Sequence, residues 1–314
     1  MRAFTMLLRR EFWEHRMLWI TPAVIAAVIF LTMQIFSGYV HLGFGNVGFG
    51  DRAAPGATVP HGAAYELFVL ALASPFYIAA SILAVIYLLD CLYAERRDRS
   101  VLFWKSLPIA DHTVVLSKLC TGLLLIPLSA WLAAGATSLA LGLSLALRHA
   151  LGFGAAATLP QWGGPPIWHT LGWLQALGSS LYITLAAVLW YAPYAGYLLL
   201  ISAWARRAVY AWAFLPPVLV TILERILFHT AHFAHDTQRS FRELMQLAFS
   251  HLGPSDTWLS LESGPASDTI GPYHGLPLQP DPGALLASPE LWTGLLGAAL
   301  CVWAAIAFRR RADA

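Results

Sequence analysis

The stretch HTAHFAHD places His229, His232, His235 and Asp236 at steps of about three residues, so that on a helix they would share a face broad enough to hold a metal ion. Such a site would make the chain a membrane-embedded, metal-dependent enzyme. No H-E-x-x-H pairing accompanies it, and neutral histidines are ordinary at a membrane surface, so this stands as the alternative reading. Glu224, beside Arg225, offers different chemistry. Ionisable groups at membrane depth face a bundle interior or water, where Glu224 would be a gate or touch a substrate; otherwise the pair sits at headgroup level. Adjacent helical side chains point about 100° apart, so Glu224 and Arg225 are not each other's natural partners. Trp190, Tyr194 and Tyr197 fall on one helical face, with Gln175, Ser179, Ser180 and Thr184 further along. They either line a path for an amphipathic molecule or pack against a neighbouring helix.

Nucleotide chemistry has no foothold. A P-loop needs Gly-Lys-Ser/Thr, whereas the only lysines, Lys105 and Lys118, follow Trp104 and Ser117. The run GFGNVG matches G-x-G-x-x-G, but that pattern works between a strand and a helix, and here it follows an apolar run, so it reads as a loop. No catalytic residue and no cofactor is expected in this chain, and nothing in it points to nucleic acid.

The elements that must position these residues follow from composition. Of 314 residues, 58% are hydrophobic and 11% charged, too few charges to cover a soluble globule of this size. Apolar runs of the ~20 residues needed to cross a bilayer recur. The expected fold is an all-α polytopic membrane protein, a single transmembrane domain over 1–314 with six spans at 17–40, 67–89, 115–147, 171–204, 208–228 and 291–308. The fourth is longer than one bilayer requires and should bend at Pro193. The first has a basic flank, yet its apolar core is too long for a cleaved signal, so it is read as a retained span. Cys91, Cys120 and Cys301 imply no disulfide framework.

Arginine and lysine set the orientation. With the amino terminus inside, most of the 19 basic residues fall on the inner side: Arg2, Arg9, Arg10, Arg16, Arg96, Arg97, Arg99, Lys105, Lys118, Arg206, Arg207 and Arg309 to Arg311. Both termini are then cytoplasmic. Residues 1–16 put Phe4, Leu7, Leu8 and Phe12 at helical spacing and read as an amphipathic interfacial helix, or as a continuation of the first span. Residues 229–289 form an outer segment rich in Pro and Gly, large enough to act as a lid.

Between spans two and three lies AERRDRSVLFWKSLPIADH. Asp98 or Ser100 can cap a short helix, Pro108 ends it, and Asp111 can cap the next. The positive-inside bias explains the arginines but not the apolar run that includes Phe103 and Trp104. Here the chain resembles the membrane subunits of type-2 ABC transporters, the ABC exporter permease family. The likeness rests on ERRDRSVLFWKSLPIADHTVVLSK after the second span, on ISAWARRAVYAWAFLPPVLVTILERILF around the fourth-to-fifth turn, and on the six-span plan. The resemblance implies that 95–108 is a coupling helix docking on an ATPase subunit, with Glu95, Arg96, Arg97, Asp98, Arg99, Phe103, Trp104 and Lys105 as the coupling residues. It implies a re-entrant character for the segment after the fifth span. It further implies two ABC ATPase subunits that bring ATP and Mg, a second permease copy or a sister permease, membrane lipids around them, and a bacterial-type cytoplasmic (inner) membrane. Export of a hydrophobic or amphipathic compound, lipid or peptide would follow; a non-transporting mechanical or signalling subunit is the other reading within the family.

Overall fold

The computed structural model describes residues 2–36, 61–98, 110–151, 170–227 and 282–311, and every regular element among them is helical. In hydrocarbon each backbone N–H and C=O must be paired within its own segment, which leaves apolar runs like these the helix. Helix α1 spans Arg2–Glu14 and α2 spans Met17–Phe36. A break at His15 and Arg16 separates them, so the amphipathic start is an element of its own. Helix α3, His61–Arg97, runs past the apolar stretch expected over 67–89 and takes in Glu95, Arg96 and Arg97.

Helix α4, Asp111–Cys120, passes through a π-helical turn, Thr121–Leu125, into α5, Ile126–Ala150. The expected cap by Asp111 is not made. Ala110 is the N-cap, without a side-chain bond, and the Asp111 carboxylate instead lies 3.3 Å from Arg309. The fourth run is two helices, α6 (Thr170–Trp190) and α7 (Ala192–Trp204), bent by 51° around Tyr191. Pro193 stands in the first turn of α7, where a missing N–H breaks no bond. Helix α8, Val209–Leu227, holds Pro216 and Pro217, and α9 (Pro282–Ala287) and α10 (Pro289–Arg311) follow.

Four stretches are long and apolar enough to cross a membrane: 17–35, 69–97, 111–144 and 289–311. The bent α6–α7 pair makes a fifth if it counts as one span, while the apolar part of α8, Val209–Glu224, is shorter. Several such helices are what a multi-pass membrane protein requires. The outer surface agrees: Val24, Val28 and Leu31 on α2 and Leu296, Leu300 and Trp303 on α10 are exposed, the reverse of a helix in water.

Helix α3 is central, packed by α2, α5, α6 and α7, and α7 lies along α10. Phe76, Leu89, Val115 and Leu199 are sealed within. Where lipid replaces water there is little hydrophobic drive between helices, so close backbone approach and polar bonds must supply the attraction. A Cβ on Gly196 would stand 3.1 Å from the Ala298 carbonyl oxygen and 3.2 Å from its Cα, so α7 and α10 meet backbone to backbone. The Tyr77 hydroxyl is 2.9 Å from Thr184 Oγ1, Trp131 Nε1 donates to Ser180 Oγ at 3.1 Å, and Trp173 Nε1 donates to Ser138 Oγ at 3.0 Å. Ser180 and Thr184 are therefore engaged in helix packing.

Candidate functional site

At one end of the bundle, charges from four helices meet away from water. Lys118 on α4 lies 3.0 Å from Glu11 Oε1 of α1 and 3.1 Å from Glu95 Oε1 of α3. Arg309, near the end of α10, lies 2.8 Å from Glu95 Oε2 and 3.3 Å from Asp111 Oδ1. The Tyr87 hydroxyl donates to Glu11 Oε2 at 2.8 Å, and His15 Nε2 stands 3.4 Å from the same oxygen. Glu11 is 2% exposed and Lys118 3%.

Each member is placed by its element. Glu11 is on the buried side of α1 with Leu7, while Arg10 and Glu14 pair on a more exposed side at 2.8 Å. Lys118 sits on α4 just before the π-helical turn, whose extra residue re-aims the chain that follows. Thr121, the first residue of that turn, donates to the Ser117 carbonyl at 2.9 Å. Glu95 and Arg309 are both in last turns, so the α3 and α10 carboxyl ends are held together.

The electrostatics explain why the charges persist. Burial of the Glu11 carboxyl would raise its pKa, but hydrogen bonds from His15, Tyr87 and Lys118 and the Lys118 charge outweigh burial and hold it at about 2. Removing one partner from such a cluster strands a buried charge, at a cost of about 3–5 kcal/mol. The cluster therefore acts as a clamp between helices.

Of the expected coupling residues, Glu95 and Arg96 are turned inward. Arg96 Nη2 donates to the carbonyls of Ser202 and of Ala205, the latter at 2.9 Å, where the end of α7 leaves carbonyls without helical partners. Arg97 and Asp98 pair at 3.1 Å and are exposed, with Arg97 5.9 Å from the Tyr93 ring centre. Arg99, Phe103, Trp104 and Lys105 lie outside the described residues, as do His229, His232, His235 and Asp236. No group of three or more His, Cys, Asp or Glu placed to hold a metal occurs among the described residues.

The aromatic stripe does not form one face, because the bend at Tyr191 divides it. Trp190 packs near Ala186 and Leu285, the Tyr194 ring is exposed 5.9 Å from that of Tyr191, and the Tyr197 hydroxyl donates to the Trp212 and Ala213 carbonyls at 3.4 and 3.3 Å. Glu224 is half-buried near the end of α8, apart from the ionic cluster.

Glu11, Lys118, Asp111 and Arg309 were not singled out from sequence as a site. The available signal was Lys118, a cation inside an apolar run that needs a partner. The partner's identity was out of reach, since Glu11 is 107 positions away. Compared with protein families, characterised proteins and solved structures, the chain matches none.

Proposed function

We propose that the chain is the membrane-spanning permease subunit of an ATP-binding cassette transporter in a bacterial-type inner membrane. Two separate ATPase subunits, carrying ATP and Mg, would drive it, paired with a second copy or a sister permease. Its cargo would be a hydrophobic or amphipathic compound, lipid or peptide, moved outward by alternating access. One observation carries this reading: the helix ends on either side of residues 99–109 are joined in one ionic clamp, through Glu95 on α3 and Asp111 and Lys118 on α4. A partner displacing that segment would move α3, α4, α1 and α10 as one body, because separating the ion pairs costs about 3–5 kcal/mol. Arg97 and Asp98, exposed at its entrance, are available for contact. The work comes from nucleotide binding differently to the two states of the ATPases.

Six crossings with both termini inside belong to the same proposal. Helix α2 leaves the clamp end and α3 returns to it; α4 leaves and α7 returns beside Arg96; α8 leaves and α10 returns with Arg309. Helix α8 has 19 residues, which at ~1.5 Å each reach about 28 Å, near the ~30 Å of a hydrocarbon core.

The test is to purify the tagged chain from its native membranes in mild detergent and measure Mg-dependent ATP hydrolysis in the complex. Activity should co-purify, and Arg97→Glu or Trp104→Ala should lower it at least severalfold while the chain still inserts. A complex without ATPase activity, or one indifferent to both substitutions, overturns the proposal.

A further inference from the structure

The turn between α7 and α8 carries a second, exposed set of charges that the clamp does not use. Arg206 and Arg207 are both exposed, and among the described residues no carboxylate pairs with either. Arg96, close enough to sense the Arg206 charge, is bound to the Ser202 and Ala205 carbonyls, so the corner gathers positive charge without neutralising it. The turn is also held in shape. Arg96 ties its first residue to α3, the Tyr197 hydroxyl ties α7 to the first turns of α8, and Ala208 adopts a positive φ of 52°.

Beside the arginines, Trp204 and Trp212 meet edge to face with ring centres 5.1 Å apart, and each is 46% exposed. Along α8, Tyr210, Phe214, Leu215, Val218 and Leu219 are exposed to its surroundings. A free anion would use the guanidinium groups alone. A molecule matching the whole surface has an anionic head, a headgroup-level zone that suits indole rings, and an apolar tail running along α8.

We propose that Arg206 and Arg207, flanked by the Trp204–Trp212 pair, form a docking site for the headgroup phosphate of an anionic phospholipid whose acyl chains lie on α8. Arginine suits this role because its planar fork can donate two parallel bonds to one phosphate. The site needs no ATPase partner, so it stands or falls separately from the transporter reading.

The test uses the full chain in detergent micelles, titrated with dioleoylphosphatidylglycerol or dioleoylphosphatidylcholine and read by native mass spectrometry. The wild type should bind the anionic lipid about twenty-five-fold more tightly, since each of the two arginines near a phosphate contributes roughly fivefold. Arg206→Ala/Arg207→Ala should bring the two lipids to near equality, whereas Arg310→Ala/Arg311→Ala, an exposed pair on α10, should keep the preference. Equal binding by the wild type, or equal loss in both double variants, overturns the proposal. Inorganic phosphate that displaces the lipid at millimolar concentration would show a soluble-anion site and also overturns it. Should the Ala pair fail to fold, the wild type decides: a preference that does not weaken as salt is raised overturns the assignment.

Discussion

Lys118 shows how one side chain can hold distant parts of a membrane protein. It is 3% exposed and faces two carboxylates, so its removal takes the only lysine from Glu11 and leaves Glu95 with Arg309 alone. Lys118→Ala should destabilise the chain by about 3–5 kcal/mol in detergent unfolding, and Lys118→Met combined with Glu11→Gln, with Glu95 left to Arg309, should recover much of the loss. A cost for Lys118→Ala within the ~0.5 kcal/mol of an ordinary surface change would contradict the burial. Glu11 adds a pH signature. Its folded pKa, about 2, lies below the ordinary 4.5, so the unfolded chain binds the proton first. The stability it contributes is complete above about pH 4.5 and disappears as pH falls toward 2. Melting midpoints followed from pH 5 to 2 should therefore fall more steeply in the wild type than in Glu11→Gln, and parallel curves would argue against the clamp.

At the scale of elements, small residues decide how near helices can come. Gly196→Leu would drive a side chain into the Ala298 backbone and should push α7 off α10, while Gly178→Ala on α6 meets nothing within 4 Å. The first should lower the melting midpoint far more than the second; the reverse order would misplace the α7–α10 contact. The sequence made the helical class legible, since its uncharged runs admit no other paired backbone, and Pro193 foretold the break in the fourth run. It was less informative about ends. The end of apolarity near Leu89 hid about two further turns of α3, because a helix that gains ionic partners has no reason to stop at the edge of its hydrophobic stretch. Asp111 looked like a cap by position, yet Arg309 offered it a full charge instead of one N–H, and that competition involves a residue 198 positions away.

For the whole molecule, the six-crossing reading has a direct check. Single cysteines placed at half-buried Arg10 and at exposed Arg311 in a Cys91→Ser/Cys120→Ser/Cys301→Ser background should react with a membrane-impermeant maleimide from the same side, and one at Leu227 from the other. Labelling of Arg10 and Arg311 positions from opposite sides would remove an odd number of crossings from the scheme. The ionic clamp also imposes an order in time. Glu95 and Lys118 are synthesised close together, but Arg309 follows Glu95 by 214 residues, on the order of ten to forty seconds at ribosomal speed. During that interval Glu95 has Lys118 but lacks its arginine, and α3 and α4 must wait in the bilayer with an incomplete partner set. The clamp is thus completed only with the arrival of α10, so a ribosome stalled before Arg309 leaves a chain that is inserted yet still recognisable as unfinished to a membrane protease.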